Sequence, residues 1–291
     1  MLPPCAGSCE DRAVKTPITD HCLIEILPTA PTGWREHDYV PVSRSKMGLA
    51  RQSDGAAPRE GMLRLSRYSS DGEEPAIQVP AVTGSCVETL PDGGWLVVAS
   101  RASRGEANGR IYGQDGALLR SFPVGDAVQQ VACTAKSILW VGYFDQHTRR
   151  SALAAYDTAG AYRFDVITGG YLLDCYALTV SGEEAWACTY PDFPIVRTGL
   201  DGVEEWTNEI RGASAIAVFR QYVLLAGGYG SDRDRLAILQ LVAGRAEVIA
   251  EDRLPILLRP DAIARGLGDT LHIVSENRWH RLEISRIVGR L

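Results

Sequence analysis

Short runs of alternating apolar and polar residues, each closed by a glycine turn, recur along this chain. The stretch "IYGQDGALLRSF" (111–122) contains two such runs around Asp115-Gly116, and alternation with a period of two predicts a β-hairpin. The equivalent turn glycines follow one another at intervals of 44, 44, 42 and 42 residues: Gly72, Gly116, Gly160, Gly202 and Gly244. No segment shows the apolar period of a long helix, so the pattern predicts an all-β repeat protein.

A second marker runs in step with the turns. Trp95, Trp140 and Trp186 stand at intervals of 45 and 46 residues and open runs rich in β-forming residues, as in "WLVVAS" and "WVGYF". A tight apolar run precedes each tryptophan and a glycine-turn hairpin follows it, so one unit contains four strands. Four strands in about 44 residues are typical of a β-propeller blade.

The spacing predicts six blades. Five contain the turns from Gly72 to Gly244, and residues 34–68 provide the first three strands of blade one. The next turn is expected at Gly289, which leaves too few residues for the fourth strand of blade six. We therefore expect the run "HCLIEILPT" (21–29) to pair into the last blade and close the ring.

The domain organisation follows from this count. Residues 1–20 are expected to form a flexible N-terminal segment, and residues 21–291 a single β-propeller domain with a long loop at 51–61. A five-bladed ring with an elaborated N-terminus is the alternative.

Composition and charge restrict the function. The net charge of −6 and the pI of about 5.5 argue against a nucleic-acid-binding face, which needs a basic stripe. The N-terminus lacks the apolar core of a signal peptide, and no stretch reaches the length of a membrane span, so a cytoplasmic protein without membrane contact is expected. The seven cysteines are irregularly spaced and form no zinc pattern, which fits a reducing compartment.

Three loops predicted to follow second strands repeat one motif, a tyrosine with an aspartate two or three residues later. These are Tyr143/Asp145, Tyr190/Asp192 and Tyr229/Asp232, with Arg233 beside the last pair. Tyrosine and arginine are favoured in binding sites, so the loops predict a polar mouth that holds a protein or peptide. An immunity-type inhibitor of a basic toxin is one version, motivated by the acidic charge. Each residue taken singly also fits turn capping or packing at blade edges.

The alternative function is a hydrolase, lyase or biosynthetic enzyme with an axial site. One acidic residue lies near the inner strand of four different blades: Glu88, Asp126, Asp174 and Asp261. Such oxygen ligands suit calcium or magnesium at the propeller axis, although the four do not share one register of the repeat. The binding function needs no cofactor, and no catalytic triad or phosphate-binding motif is present.

Several longer segments carry a resemblance. "DGGWLVVASR", "WVGYFD", "YPDFPIVR" and "LLAGGYGSDRDRL" resemble sequences of a family of uncharacterised bacterial six-bladed β-propeller-like proteins, over about residues 60–285. The loop after "WVGYFD" is shorter here than in that family. The resemblance implies a propeller fold and a bacterial cytoplasmic setting, and it implies no function. A looser likeness to gluconolactonase and streptogramin-lyase propellers rests on the fold alone.

Overall fold

Six antiparallel sheets form the ring of a six-bladed β-propeller in the computed structural model, which describes residues 17–32, 34–53, 61–82 and 84–289. The innermost strands of consecutive blades contact one another, and the innermost strand of blade six contacts that of blade one. We call the end of the ring where the innermost strands begin the upper face. The end where they turn into the second strands is the lower face.

The strands follow the blades in chain order. Strand β1 (Leu23–Ile26) comes first, and blade one contains β2 (Trp34–Ser43), β3 (Lys46–Ser53), β4 (Met62–Ser69), β5 (Gly72–Glu73) and β6 (Ile77–Pro80). Blade two contains β7 (Ser85–Thr89), β8 (Trp95–Ala99), β9 (Gly109–Tyr112) and β10 (Leu118–Phe122). Blade three contains β11 (Val128–Cys133), β12 (Ile138–Tyr143), β13 (Leu153–Asp157) and β14 (Tyr162–Asp165).

The other three blades complete the ring. Blade four contains β15 (Asp174–Ser181), β16 (Glu184–Tyr190), β17 (Ile195–Thr198) and β18 (Val203–Trp206). Blade five contains β19 (Ala215–Phe219), β20 (Tyr222–Ala226), β21 (Arg235–Val242) and β22 (Arg245–Arg253). Blade six contains β23 (Ile263–Leu267), β24 (Thr270–Ser275) and β25 (Arg278–Glu283), and a short helix α1 (Ile284–Val288) follows.

Blade six receives its outermost strand from the other end of the chain. β1 pairs antiparallel with β25, from Leu23 opposite Arg281 to Ile26 opposite Arg278. The turn predicted at Gly289 is wrong, because β25 ends at Glu283 and Gly289 is the C-cap of α1. The long loop predicted at 51–61 lies largely outside the described residues, apart from the end of β3 and residue 61.

The tryptophans of the repeat hold neighbouring blades together. Trp95, Trp140 and Trp186 are 1%, 0% and 4% exposed, and each packs in a cluster shared by two blades. Gly48 of blade one leaves room for the Trp95 ring, since a Cβ there would lie 3.0 Å from it. Burying such large apolar side chains between blades is the main term that stabilises a ring of otherwise separate sheets.

The end of the inner strand of blade six forms backbone hydrogen bonds with the inner strands of blades four and five at the axis. The backbone N–H of Val218 in blade five donates to the Gly268 carbonyl at 2.7 Å, and the Gly268 N–H donates to the Val180 carbonyl in blade four at 2.9 Å. A Cβ at Gly266 would lie 1.7 Å from the carbonyl oxygen of Ile216, so only glycine fits there. This contact closes the axis between blades four, five and six and leaves open space toward blades one to three.

Within the described ranges no helix is long and apolar enough to cross a membrane. The five cysteines in these ranges are free, and three of them are buried in the blades: Cys86, Cys175 and Cys188. Cys5 and Cys9 lie outside the described residues.

Candidate functional site

An aromatic patch on the upper face joins blades four and five. It consists of Tyr176 on β15, Tyr190 at the end of β16, Phe193 in the next loop, and Tyr229 after β20. Ring centroids lie 5.2 Å apart for Tyr176 and Phe193, 5.8 Å for Tyr190 and Phe193, and 5.8 Å for Phe193 and Tyr229. Phe193 is buried at the base of the patch, whereas Tyr190 and Tyr229 are 42% and 49% exposed.

Hydrogen bonds fix Tyr229 within this patch. Its hydroxyl donates to the Tyr176 hydroxyl at 2.5 Å, and its carbonyl accepts the Asp232 N–H at 2.9 Å. Asp232 in turn forms ion pairs with Arg235 at 2.7 Å and Arg253 at 2.9 Å. Partial burial and the hydrogen bond with Tyr176 raise the pKa of Tyr229, so its ring remains a neutral phenol. The patch is thus held in one arrangement before any partner arrives.

The loop between blades three and four carries two further exposed apolar side chains. Leu173 donates its backbone N–H to the Tyr190 carbonyl at 3.0 Å, and its side chain is 43% exposed. In the same loop Tyr171 is 80% exposed. Exposed apolar side chains scattered singly are ordinary, but a group anchored on a buried phenylalanine forms a surface suited to binding.

A carboxylate pair lies beside the patch. Asp174 opens β15, two residues before Tyr176, and its Oδ1 is buried without a hydrogen-bond donor among the described residues. Burial first, and the charge of Asp145 second, raise the pKa of Asp174 to about 6. Two carboxylates that repel each other, one with an unpaired oxygen, favour a cation or a hydrogen-bond donor from outside.

Tyr143 is not part of this surface, contrary to the prediction. Its side chain is 0% exposed, and its hydroxyl donates to the Val124 carbonyl at 2.7 Å and lies 3.1 Å from the Tyr156 hydroxyl. The guanidinium of Arg149 lies over the Tyr143 ring at 5.2 Å and is paired with Asp165 at 2.6 Å. The ring fills the space between blades two and three, so it serves packing.

The remaining predicted binding residues divide into two groups. Asp145, Asp192 and Arg233 are exposed on loops of the upper face. Asp232 is bound to two arginines, so its carboxylate is used to hold the loop that carries Tyr229. The structure therefore brings together Tyr190 and Tyr229 of the three predicted tyrosines.

The four carboxylates predicted as metal ligands are not gathered at one point. Asp126 pairs with Arg101 at 3.0 Å, and Asp261 accepts the Glu276 N–H at 2.8 Å beside a cavity of about 420 Å³ between blades one and six. Glu88 is the fourth residue of β7, near the lower face, whereas Asp174 begins β15 at the upper face. In the described part of the chain no three His, Cys, Asp or Glu side chains are placed to hold a metal ion.

Two contributors to the patch were not among the predicted site residues. Phe193 lies in the loop after the third tryptophan strand, and Tyr176 lies on the inner strand of the same blade. Leu173, whose backbone pairs with Tyr190, belongs to a connection between blades that lies outside the repeated markers. The "YPDF" sequence was the available signal for Phe193, because a second aromatic residue so close to Tyr190 can pack on it.

No protein-family model and no curated protein sequence matches the chain. Among solved structures, YCF48 bound to D1 peptide superposes with a TM-score of 0.52 at 12% identity, over 90% of this chain and 97% of that one. The apo AztD of Citrobacter koseri gives 0.48 at 11% identity, over 86% of this chain and 69% of that one. The hydrazine synthase of Kuenenia stuttgartiensis gives 0.47 at 12% identity over 66% of this chain, which spans 56% of that chain. These neighbours are β-propellers, and at such identities the likeness concerns the fold alone.

Proposed function

We propose that this propeller binds a protein or peptide segment on its upper face, across the aromatic patch of blades four and five. The observation that carries the proposal is the pair Tyr190 and Tyr229, both about half exposed and both packed on the buried ring of Phe193. Rigid tyrosines supply contact area at a low cost in side-chain entropy, which is why they dominate binding hot spots.

The carboxylates beside the patch indicate the chemistry of the partner. Asp174 has a buried oxygen without a hydrogen-bond donor, and the negative charge of Asp145 repels its carboxylate. A lysine, an arginine or an amino terminus of the partner would supply the missing donor and relieve this repulsion. The proposed segment therefore combines apolar or aromatic side chains with a basic group, and an inhibitor of a basic toxin is one function that would use it.

The structural comparison supports the mode of binding only in general terms. YCF48, which shares the fold at 12% identity, was solved with a bound D1 peptide, so a ring of this kind can hold a peptide. The details of this proposal rest on the patch itself.

A selection from a displayed random peptide library tests the proposal. Selected peptides are expected to carry an aromatic or aliphatic residue close to a lysine or arginine. Tyr190→Ala and Tyr229→Ala should each weaken binding by at least about tenfold, the loss typical of a binding hot spot. Asp174→Asn should weaken the binding of peptides that contain the basic residue and leave the binding of their uncharged analogues unchanged.

Tyr162→Ala provides the matched control, because Tyr162 is 50% exposed but lies on the outermost strand of blade three. It should leave peptide binding intact. If the tyrosine variants bind selected peptides as tightly as the control does, the upper-face patch is not the binding surface.

A further inference from the structure

A second cavity lies at the opposite end of the ring from the aromatic patch. It has a volume of about 490 Å³ and is lined by the ends of the innermost strands of blades one, two, three, four and six. We call it the axial cavity. Its wall combines apolar side chains, among them Val131, Leu178 and Val180, with polar ones such as Glu88 and Arg265. A cavity of this size that sets polar groups among apolar side chains is suited to a small molecule.

The wall of the cavity contains one positively charged side chain, Arg265, and only some of its hydrogen-bond donors have partners. Arg265 on β23 donates from Nη2 to the two carboxylate oxygens of Asp38 at 3.0 and 2.8 Å, and its Nε lies 3.4 Å from Oδ1. Asp38 is 5% exposed and the side chain of Arg265 is 24% exposed. A guanidinium has five N–H donors, so the two on Nη1 remain for another acceptor. Such donors bind carboxylates strongly when water is excluded.

Glu88 contributes a second polar group to the same wall. Its Oε1 accepts the Thr89 backbone N–H at 2.7 Å. Burial raises the pKa of Glu88 to about 8, against the opposing effects of the Thr89 N–H and the Arg265 charge. At neutral pH the group is therefore mainly a carboxylic acid, which can donate a hydrogen bond.

We propose that the axial cavity binds a small organic carboxylate with a compact apolar body. The carboxylate would accept hydrogen bonds from Nη1 of Arg265 and from the protonated carboxyl of Glu88. The apolar body would occupy the space between β11 and β15. This inference does not depend on the proposed function, because the two sites lie at opposite faces and share no residue.

The charges around Glu88 explain why an anion is favoured over an amine. Arg265 on β23 faces it, neutralised in part by Asp38 on β2, and β11 presents the thiol of Cys133. β15 presents apolar side chains and Ser181 to the cavity. An amine would meet the positive guanidinium and would need Glu88 to lose its proton. A carboxylate uses both donors as they stand at neutral pH.

Three probes of one shape and different charge test the proposal on the full chain. Benzoate, benzamide and benzylamine are titrated at pH 7 and pH 9, with ligand-observed NMR as the measure of binding. Benzoate should bind best at pH 7. Its affinity should fall about tenfold by pH 9, because a group with a pKa of about 8 passes from roughly nine-tenths to one-tenth protonated over that range.

Glu88→Gln separates hydrogen-bond donation at this position from ionisation. The amide cannot ionise but still donates, so benzoate binding at pH 7 should be retained within about threefold and its fall toward pH 9 should disappear. Glu205→Gln is the matched control, since Glu205 is exposed on the outer strand of blade four and should leave the pH dependence of the native chain intact.

Two further measurements place the ligand and protect against a folding artefact. Benzoate should shift the backbone amide NMR signals of Gly182 and Gly268 in isotope-labelled protein, because both glycines line the cavity. Ser181→Trp at the rim should abolish binding with an unchanged circular dichroism spectrum. Preferential binding of benzylamine, loss of benzoate binding in Glu88→Gln, or no binding of any probe would overturn the proposal.

Discussion

Replacing Gly266 with alanine tests how the ring closes at its axis. The new Cβ would lie 1.7 Å from the Ile216 carbonyl oxygen, a backbone atom that cannot rotate away. Strand β23 would have to withdraw from its neighbours, and the two backbone hydrogen bonds of Gly268 to blades four and five would lengthen or break. Overpacking costs about 1–3 kcal/mol and each lost hydrogen bond about 1 kcal/mol. We expect a destabilisation of about 3–5 kcal/mol.

Two other glycines provide matched controls for the same substitution. Gly268 has a φ of +54° but nothing within 4 Å of its Cβ position, so alanine there should cost only about 1–2 kcal/mol of left-handed strain. Gly202 has neither a positive φ nor a close neighbour, and alanine there should change stability by less than about 0.5 kcal/mol. The three variants differ by one methyl group each, so their order isolates the steric contact.

Thermal and urea unfolding of the three variants measure this order. For a chain of this size each kcal/mol corresponds to roughly 2–4 °C in Tm, so Gly266→Ala should melt roughly 10 °C below the native protein. A Gly266→Ala protein as stable as Gly268→Ala would refute the close approach of blades five and six.

Three further predictions concern the site and the ring closure. Tyr143→Ala should lower the free energy of unfolding by about 3–5 kcal/mol, as expected for a buried aromatic residue. Tyr190→Ala should have a smaller effect in thermal unfolding, and an equal effect would contradict the burial described for Tyr143. The folded-state pKa of Asp174 is raised to about 6, so the contribution of this group to stability is lost as the pH rises through about 6. Asp174→Asn should therefore melt at a higher temperature than the native protein at pH 8, and the difference should disappear toward pH 4. Leu27→Ala, at 2% exposure after β1, should cost about 2–4 kcal/mol in urea unfolding, whereas Ile24→Ala, at 59% exposure within β1, should be nearly neutral.

The repeat could be read from the sequence because every blade solves the same packing problem. Tryptophans at intervals of 45 and 46 residues mark the second strands, and the structure buries all three between blades. Trp140 and Trp186 face the following blade, whereas Trp95 faces the preceding one. The prediction of a turn at Gly289 fails for a different reason, the length of one loop. Extrapolating the period to Gly289 assumed that the last hairpin is as long as the others, whereas β24 and β25 are joined by the two-residue turn Glu276–Asn277, with φ angles of 49° and 59°.

The candidate site could be predicted less well, because two similar motifs at the ends of strands need not share one register of the repeat. Tyr143 and Tyr190 differ by one residue in register. Tyr143 pairs with Val128 directly at the bulge of β11, whereas Thr189 takes that place at the bulge of β15 and Tyr190 pairs with Asp174 one position further. A shift of one residue turns a side chain to the opposite face of the sheet. Tyr143 turns into the space beside Tyr156 and Arg149, whereas Tyr190 packs on Phe193 and remains 42% exposed. The neighbours named here come from each tyrosine's own blade, largely from the loop that follows its second strand. These loops differ in length from blade to blade, with residues 144–152 after β12 and residues 191–194 after β16. Binding surfaces of a propeller therefore depend on the parts of each blade that its repeat does not determine.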